Sequence, residues 1–102
     1  MSRFLKVASL ADVPPGAATV VEVEGKEVAL FNQGGTVYAL DNTCPHAAGP
    51  LAEGTLEEGK VECPWHGAQF DLNTGASSSP LAPKGVRAYS VRVSGADVEI
   101  EL

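Results

Sequence analysis

Both cysteines and both histidines of the chain fall in one pattern, Cys44-Pro45-His46 and then, beyond residues 47 to 62, Cys63-Pro64-Trp65-His66. Soft and borderline donors in two short clusters suit iron or zinc, and they require a fold in which two loops close on one centre. Pro45 and Pro64 each follow a cysteine directly, fixing the backbone and removing a donor there. Three other readings stand beside this one. The cysteines can be buried small hydrophobes. They can form a Cys44–Cys63 disulfide, which leaves both histidines without a role. Or all four residues can hold a structural zinc, although zinc modules usually pair cysteine with cysteine and histidine with histidine, and each cluster here is mixed. The mixed order is explained better by a two-iron cluster with both thiolates on one iron and both imidazoles on the other.

The runs CPHAAGPL and CPWHGAQFD resemble the Rieske iron-sulfur family, whose pattern is Cys-x-His, a spacer of about this length, then Cys-x-x-His. The match is densest from Asn42 to Thr74. By that resemblance Cys44 and Cys63 hold one iron of a Rieske-type 2Fe-2S cluster, and His46 and His66 hold the other and form the exit route for the electron. Pro80, Leu81 and Pro83 would be the apolar cover of a proline-containing loop, and Gly49 and Gly67 would permit close backbone approach to sulfur. High-potential members of the family add a cysteine to each loop, join the two by a disulfide, and carry serine and tyrosine hydroxyls shortly after the second histidine. This chain has Ala47-Ala48-Gly49 and Pro64-Trp65 in the first two places, and Ala68 and Phe70 in the last.

Two ferric ions, two bridging sulfides and two thiolates sum to zero charge, so one electron makes the centre an anion. Neutral imidazoles in place of thiolates ease that reduction; losing two hydroxyl donors to sulfur opposes it. The resemblance and these absences together predict the low part of the Rieske range, roughly −150 mV. Imidazoles on ferric iron release their outer protons more easily than those on the reduced centre, so the potential is expected to fall with rising pH once that release begins.

Outside the ligand clusters the sequence reads as all-β. Val21 and Val23 alternate with Glu22 and Glu24, Gly25-Lys26 turns into Val28-Ala29-Leu30-Phe31, and Asn32-Gln33-Gly34-Gly35 makes a second hairpin into Val37-Tyr38-Ala39-Leu40. Near the end Tyr89, Val91 and Val93 alternate with Ser90 and Arg92, a turn follows at Ser94-Gly95, and Val98, Ile100 and Leu102 complete a closing hairpin. Ser9 to Val13 predicts one helical turn, stopped by Pro14-Pro15. Ala47 to Gly59 reads as a loop excursion and residues 73–83 as turn chemistry throughout. The length of 102 residues predicts a single domain, 1–102. The resemblance implies stacked small antiparallel sheets, with a cluster-binding part at about 42–83, made of two ligand loops and the proline loop, inserted in a β base.

The formal charge of −6 excludes nucleic acid as a partner, since a phosphate backbone requires clustered lysine and arginine. No uncharged apolar stretch is long enough to cross a bilayer, and Lys6 and Asp12 interrupt any secretory core near the start, so a cytoplasmic protein with reduced thiols is expected. Glu53, Glu57, Glu58 and Glu62 lie between the ligand pairs, where they either steer a positively charged partner or solvate a loop. The chain shows no nucleophile and base pair and no phosphate-binding glycine loop, so no catalytic residue is assigned. The resemblance implies a monomeric one-electron carrier rather than an enzyme, taking electrons from a flavoprotein ferredoxin reductase that uses NADH or NADPH. It would give them to the Rieske non-haem iron oxygenase component of a ring-hydroxylating dioxygenase-like system. Two other roles are a small Rieske-like subunit of an assimilatory nitrite reductase and a zinc-binding interaction module.

Overall fold

Three hairpins in this chain turn on two residues that both have positive φ, the geometry whose twist matches that of the flanking strands: Glu24-Gly25, Gly34-Gly35 and Glu58-Gly59. The structure, a computed structural model, describes residues 4–42, 51–63, 69–77 and 85–101. Along these run β1 (Phe4–Ser9), a 3-10 turn η1 (Leu10–Asp12), β2 (Ala18–Val23), β3 (Lys26–Gln33), β4 (Thr36–Asp41) and a 3-10 turn η2 (Leu51–Glu53). They continue with β5 (Thr55–Glu57), β6 (Lys60–Glu62), β7 (Gln69–Asp71), β8 (Ala88–Tyr89), β9 (Val91–Ser94) and β10 (Asp97–Glu101).

The strands form three antiparallel sheets, ordered β1-β10-β9, β2-β3-β4-β8 and β5-β6-β7. The four-stranded sheet is the middle layer, and the Val28-Ala29-Leu30-Phe31 run of β3 shows why. All four side chains are fully buried. Because successive side chains point to opposite faces, Val28 and Leu30 pack with Val98 and Ile100 of β10, while Ala29 and Phe31 pack with Val61 of β6 and Phe70 of β7. β4 continues the division, with Val37 and Ala39 on the first side and Leu40 on the second. One strand pair therefore serves two hydrophobic cores.

The all-β expectation holds, as do both hairpins of the middle sheet and the closing hairpin β9–β10. So does the turn after Ser9, where the Ser9 amide donates to Asp12 Oδ2 at 3.0 Å. Three details differ. The first hairpin pairs Val23 with Lys26, so it turns at Glu24-Gly25 rather than Gly25-Lys26. The apparent strand through Tyr89, Val91 and Val93 breaks at Ser90: Tyr89 pairs with Ala39 of the middle sheet, and β9 pairs with β10 of the outer one. Val93 is left 44% exposed. The stretch read as a loop excursion to Gly59 contains η2 and β5. Leu102 lies outside the described residues, as does any pairing it makes. No helix among the described residues is long and apolar enough to cross a membrane.

Candidate metal centre

Cys63 follows β6 directly, and its side chain is 1% exposed, packed into the core cluster that includes Leu51, Val61, Phe70 and Leu72. It is a free thiol. Cys44, His46 and His66 lie outside the described residues, as do Pro45, Ala47, Ala48, Gly49, Pro64, Trp65, Gly67, Ala68, Pro80, Leu81 and Pro83. Among the described residues no group of three histidine, cysteine, aspartate or glutamate side chains comes together. What the structure does place is the pair of residues at which each of these stretches leaves and returns.

The first stretch, 43–50, leaves at Asn42 and returns at Leu51, whose amide donates to the Asn42 carbonyl at 2.7 Å. The second, 64–68, leaves at Cys63 and returns at Gln69, which pairs with Glu62 across β6 and β7. The third, 78–84, leaves at Ser77, bridged to Phe70, and returns through Val86, whose amide donates to the Gly75 carbonyl at 2.8 Å. Glycine is required at this last crossing, because a Cβ on Gly75 would collide with the Val86 carbonyl and one on Gly85 with the Gly75 carbonyl. All three closures border the cluster that buries Cys63: Leu51 and Phe70 belong to it and Val86 packs against it.

Two buried or half-buried amides reach out from the middle sheet, Asn42 to η2 and Gln33 to the small sheet β5-β6-β7. Asn42 Oδ1 accepts from the Ala52 amide at 3.0 Å and Nδ2 donates to Glu27 Oε1 at 3.3 Å. At the other end of β6, Gln33 Oε1 accepts from the Gly59 amide, in a turn where Glu58 holds the uncommon φ of 33°. Neither residue carried a ligand-type signal in the sequence: Asn42 only opened the densest stretch and Gln33 stood in a turn. Alongside, Asp41 at the end of β4 accepts the Tyr89 hydroxyl at 2.6 Å, and the Arg87 guanidinium lies 4.6 Å above the Tyr89 ring. Burial first, then the Asp41 hydrogen bond, push the Tyr89 phenol up to about 12. At the outer end of β7, Asp71 accepts from the amides of Asn73 at 2.8 Å and Thr74 at 3.0 Å. These bonds, Thr74's foremost, hold its carboxyl below the usual value of 3.8.

A model of the Rieske [2Fe-2S] domain matches residues 3–90. The chain belongs to the Rieske [2Fe-2S] family. The ferredoxin component of the naphthalene 1,2-dioxygenase system of Pseudomonas aeruginosa is 36% identical to it over 100 residues, covering 98% of this chain and 96% of that one. Among solved Rieske structures, the ferredoxin of carbazole 1,9a-dioxygenase from Nocardioides aromaticivorans IC177 superposes with a TM-score of 0.89 at 36% identity, covering 95% of each chain. A ferredoxin in a complex of reduced oxygenase and oxidised ferredoxin of carbazole 1,9a-dioxygenase superposes with a TM-score of 0.86 at 33% identity, covering 95% of this chain and 91% of that one. A nitrite reductase small subunit from Mycobacterium tuberculosis shares the fold with a TM-score of 0.89 but only 22% identity, a likeness of fold alone.

The cofactor of this Rieske chain is a Rieske-type 2Fe-2S cluster. The residues present fit that group. Two thiols and two imidazoles in the sequence would supply its donor set, and the site of Cys63 is lined by hydrocarbon. The oxidised centre with neutral imidazoles would carry no net charge, which suits such a lining. Phe70, fully buried in β7, brings no hydroxyl to the neighbourhood of Cys63.

Proposed function

We propose that this chain is the ferredoxin of a ring-hydroxylating dioxygenase-like system. It takes single electrons from an NAD(P)H-dependent flavoprotein reductase and gives them to a Rieske non-haem iron oxygenase component. In this reading Cys44 and Cys63 hold one iron and His46 and His66 the other. Bound there, the cluster takes up and gives back one electron. The protein acts as a cytoplasmic monomer, a single domain over 1–102 whose portion from about 42 to 83 carries the centre.

The observation that carries this reading is the end-to-end match with dioxygenase ferredoxin components, whose names describe electron-transfer partners rather than catalytic subunits. What the chain's own residues contribute is shelter and surface. Leu51, Val61, Phe70 and Leu72 exclude water from the side on which Cys63 lies. Glu57 and Glu58 stand exposed on the small sheet, bordering a groove with Lys60 and Gln69, and offer a negative face to a positively charged partner.

The test is reconstitution. Purified chain, a flavoprotein reductase and a ring-hydroxylating oxygenase are combined, and NAD(P)H-driven product formation is expected to require the chain and to slow as ionic strength rises. Turnover that is the same without the chain would refute the carrier role, and rates independent of salt would remove the role given to Glu57 and Glu58. A redox titration is expected near −150 mV; a clearly positive midpoint at neutral pH would contradict the low-potential assignment. Copurification as a fixed part of a large complex would instead favour the nitrite reductase subunit, and zinc without iron or sulfide the interaction module.

A further inference from the structure

Asn42 is 5% exposed and stands two positions ahead of Cys44. All its hydrogen-bonding groups are engaged, and they reach two separate parts of the fold. Its amide donates to the Glu27 carbonyl at 3.1 Å and its Nδ2 to Glu27 Oε1 at 3.3 Å, which tie it to β3. Its carbonyl accepts from Leu51 at 2.7 Å and its Oδ1 from Ala52 at 3.0 Å, which tie it to η2. The departure of residues 43–50, their return and the middle sheet are thus joined through one residue, whose side chain links Glu27 to Ala52. Only a short amide does this: the site needs an acceptor on one side and a donor on the other. Aspartate lacks the donor and would set a second carboxylate against Glu27, while alanine leaves the Ala52 amide without its partner.

We propose that Asn42 is a positioning residue for the metal centre: by joining the two residues that flank 43–50 to β3, it governs how firmly the cluster is held. This rests on the ligand assignment proposed above. Gln33 provides the internal contrast. It holds the small sheet to the middle one at Gly59, the end of β6 away from Cys63, about 13 Å along the strand. If fastening neighbouring elements to the middle sheet were all that mattered, the two amides would be equivalent.

The experiment uses the cluster-loaded chain and follows iron release to a chelator by loss of visible absorbance, together with the g-values of the reduced cluster. Asn42→Ala is expected to release iron about tenfold to a hundredfold faster than the wild type, the range for partners that orient ligands, and to shift the g-values. Gln33→Ala is expected to melt earlier but to keep the wild-type g-values and a release rate within a few-fold of the wild type. A second pair reads the same role through chemistry. Asn42→Asp should release iron quickly, and adding Glu27→Gln, which returns a donor from the opposite side, should slow it again. An Asn42→Ala variant that matches Gln33→Ala in both readouts overturns the proposal. So does a double variant no better than Asn42→Asp, and this second criterion decides if Asn42→Ala does not fold. Failure of the ligand assignment looks different: the wild type itself would lack two irons and two sulfides per chain, or its reduced cluster would show no nitrogen couplings.

Discussion

The two faces of the middle sheet bury similar side chains against very different neighbours. On one side β3 and β4 meet β10, part of a sheet whose strands run to six residues and whose core is hydrocarbon apart from Tyr89 and the buried Asn32 amide. On the other they meet strands of three residues each, and the core there includes the Cys63 thiol. Three-residue strands supply few ladder bonds, so the small sheet depends on docking and on the Gln33 amide. On the ligand assignment proposed above, one face is built to be stable by itself and the other to be completed by its cofactor.

The sharpest way to break this contrast is Cys63→Ser, which should abolish the visible absorbance of the cluster while far-ultraviolet circular dichroism still reports the β base. Loss of both signals together would show that the two faces are not separable, and a retained visible spectrum would remove Cys63 from the ligand set. Next come paired truncations of fully buried leucines, Leu30→Ala on the base side and Leu72→Ala on the cluster side. Each should cost about 2–5 kcal/mol in denaturant titrations of the loaded protein. Without the cluster the Leu30 cost should persist and the Leu72 cost should shrink; equal costs in both forms would erase the distinction.

The smaller effects are read by pH. Tyr89 has its phenol raised to about 12, so its contribution is complete below the ordinary value of 10 and is lost as pH rises through about 12. Stability is expected to decline across that window, with Tyr89→Phe flattening the decline; an unchanged slope in the variant would show that the Asp41 hydrogen bond contributes nothing to it. Asp71 works in the opposite sense. Its carboxyl is lowered, so its contribution is present above 3.8 and lost as pH falls through the folded-state value. Asp71→Asn should remove that part of the acid dependence, by less than the Tyr89 effect because the Asp71 bonds are exposed to solvent. An acid-melting curve identical to that of the wild type would refute it.

Much of this was legible in the residues themselves. Valines 21 and 23 against glutamates 22 and 24, with glycines at the turns, reveal the middle hairpins because six to eight residues give alternation room to register. β5, β6 and β7 escape the same reading because three residues contain too little period, and β1 because most of its side chains are only half-buried on both faces. Ser90 hides a change of partner, since the pattern of Tyr89, Val91 and Val93 runs unbroken while the chain crosses from one sheet to the next. At the centre, the two cysteines and two histidines and their spacing point to the cofactor from the sequence alone. Asn42 and Gln33 left no such trace, because an amide that organises a loop is indistinguishable by composition from one that merely ends a strand.

The closures at Asn42–Leu51, Glu62–Gln69 and Gly75–Val86 also have a consequence for engineering. Each confines a stretch of chain between residues that already hold one another, so the chemistry between them is open to rewriting without renegotiating the scaffold. A hydroxyl introduced at position 68, or a cysteine pair grafted into the first two stretches, would then retune the electron affinity of one base in steps. A graded set of carriers spanning a range of driving forces could be made from a single folded platform.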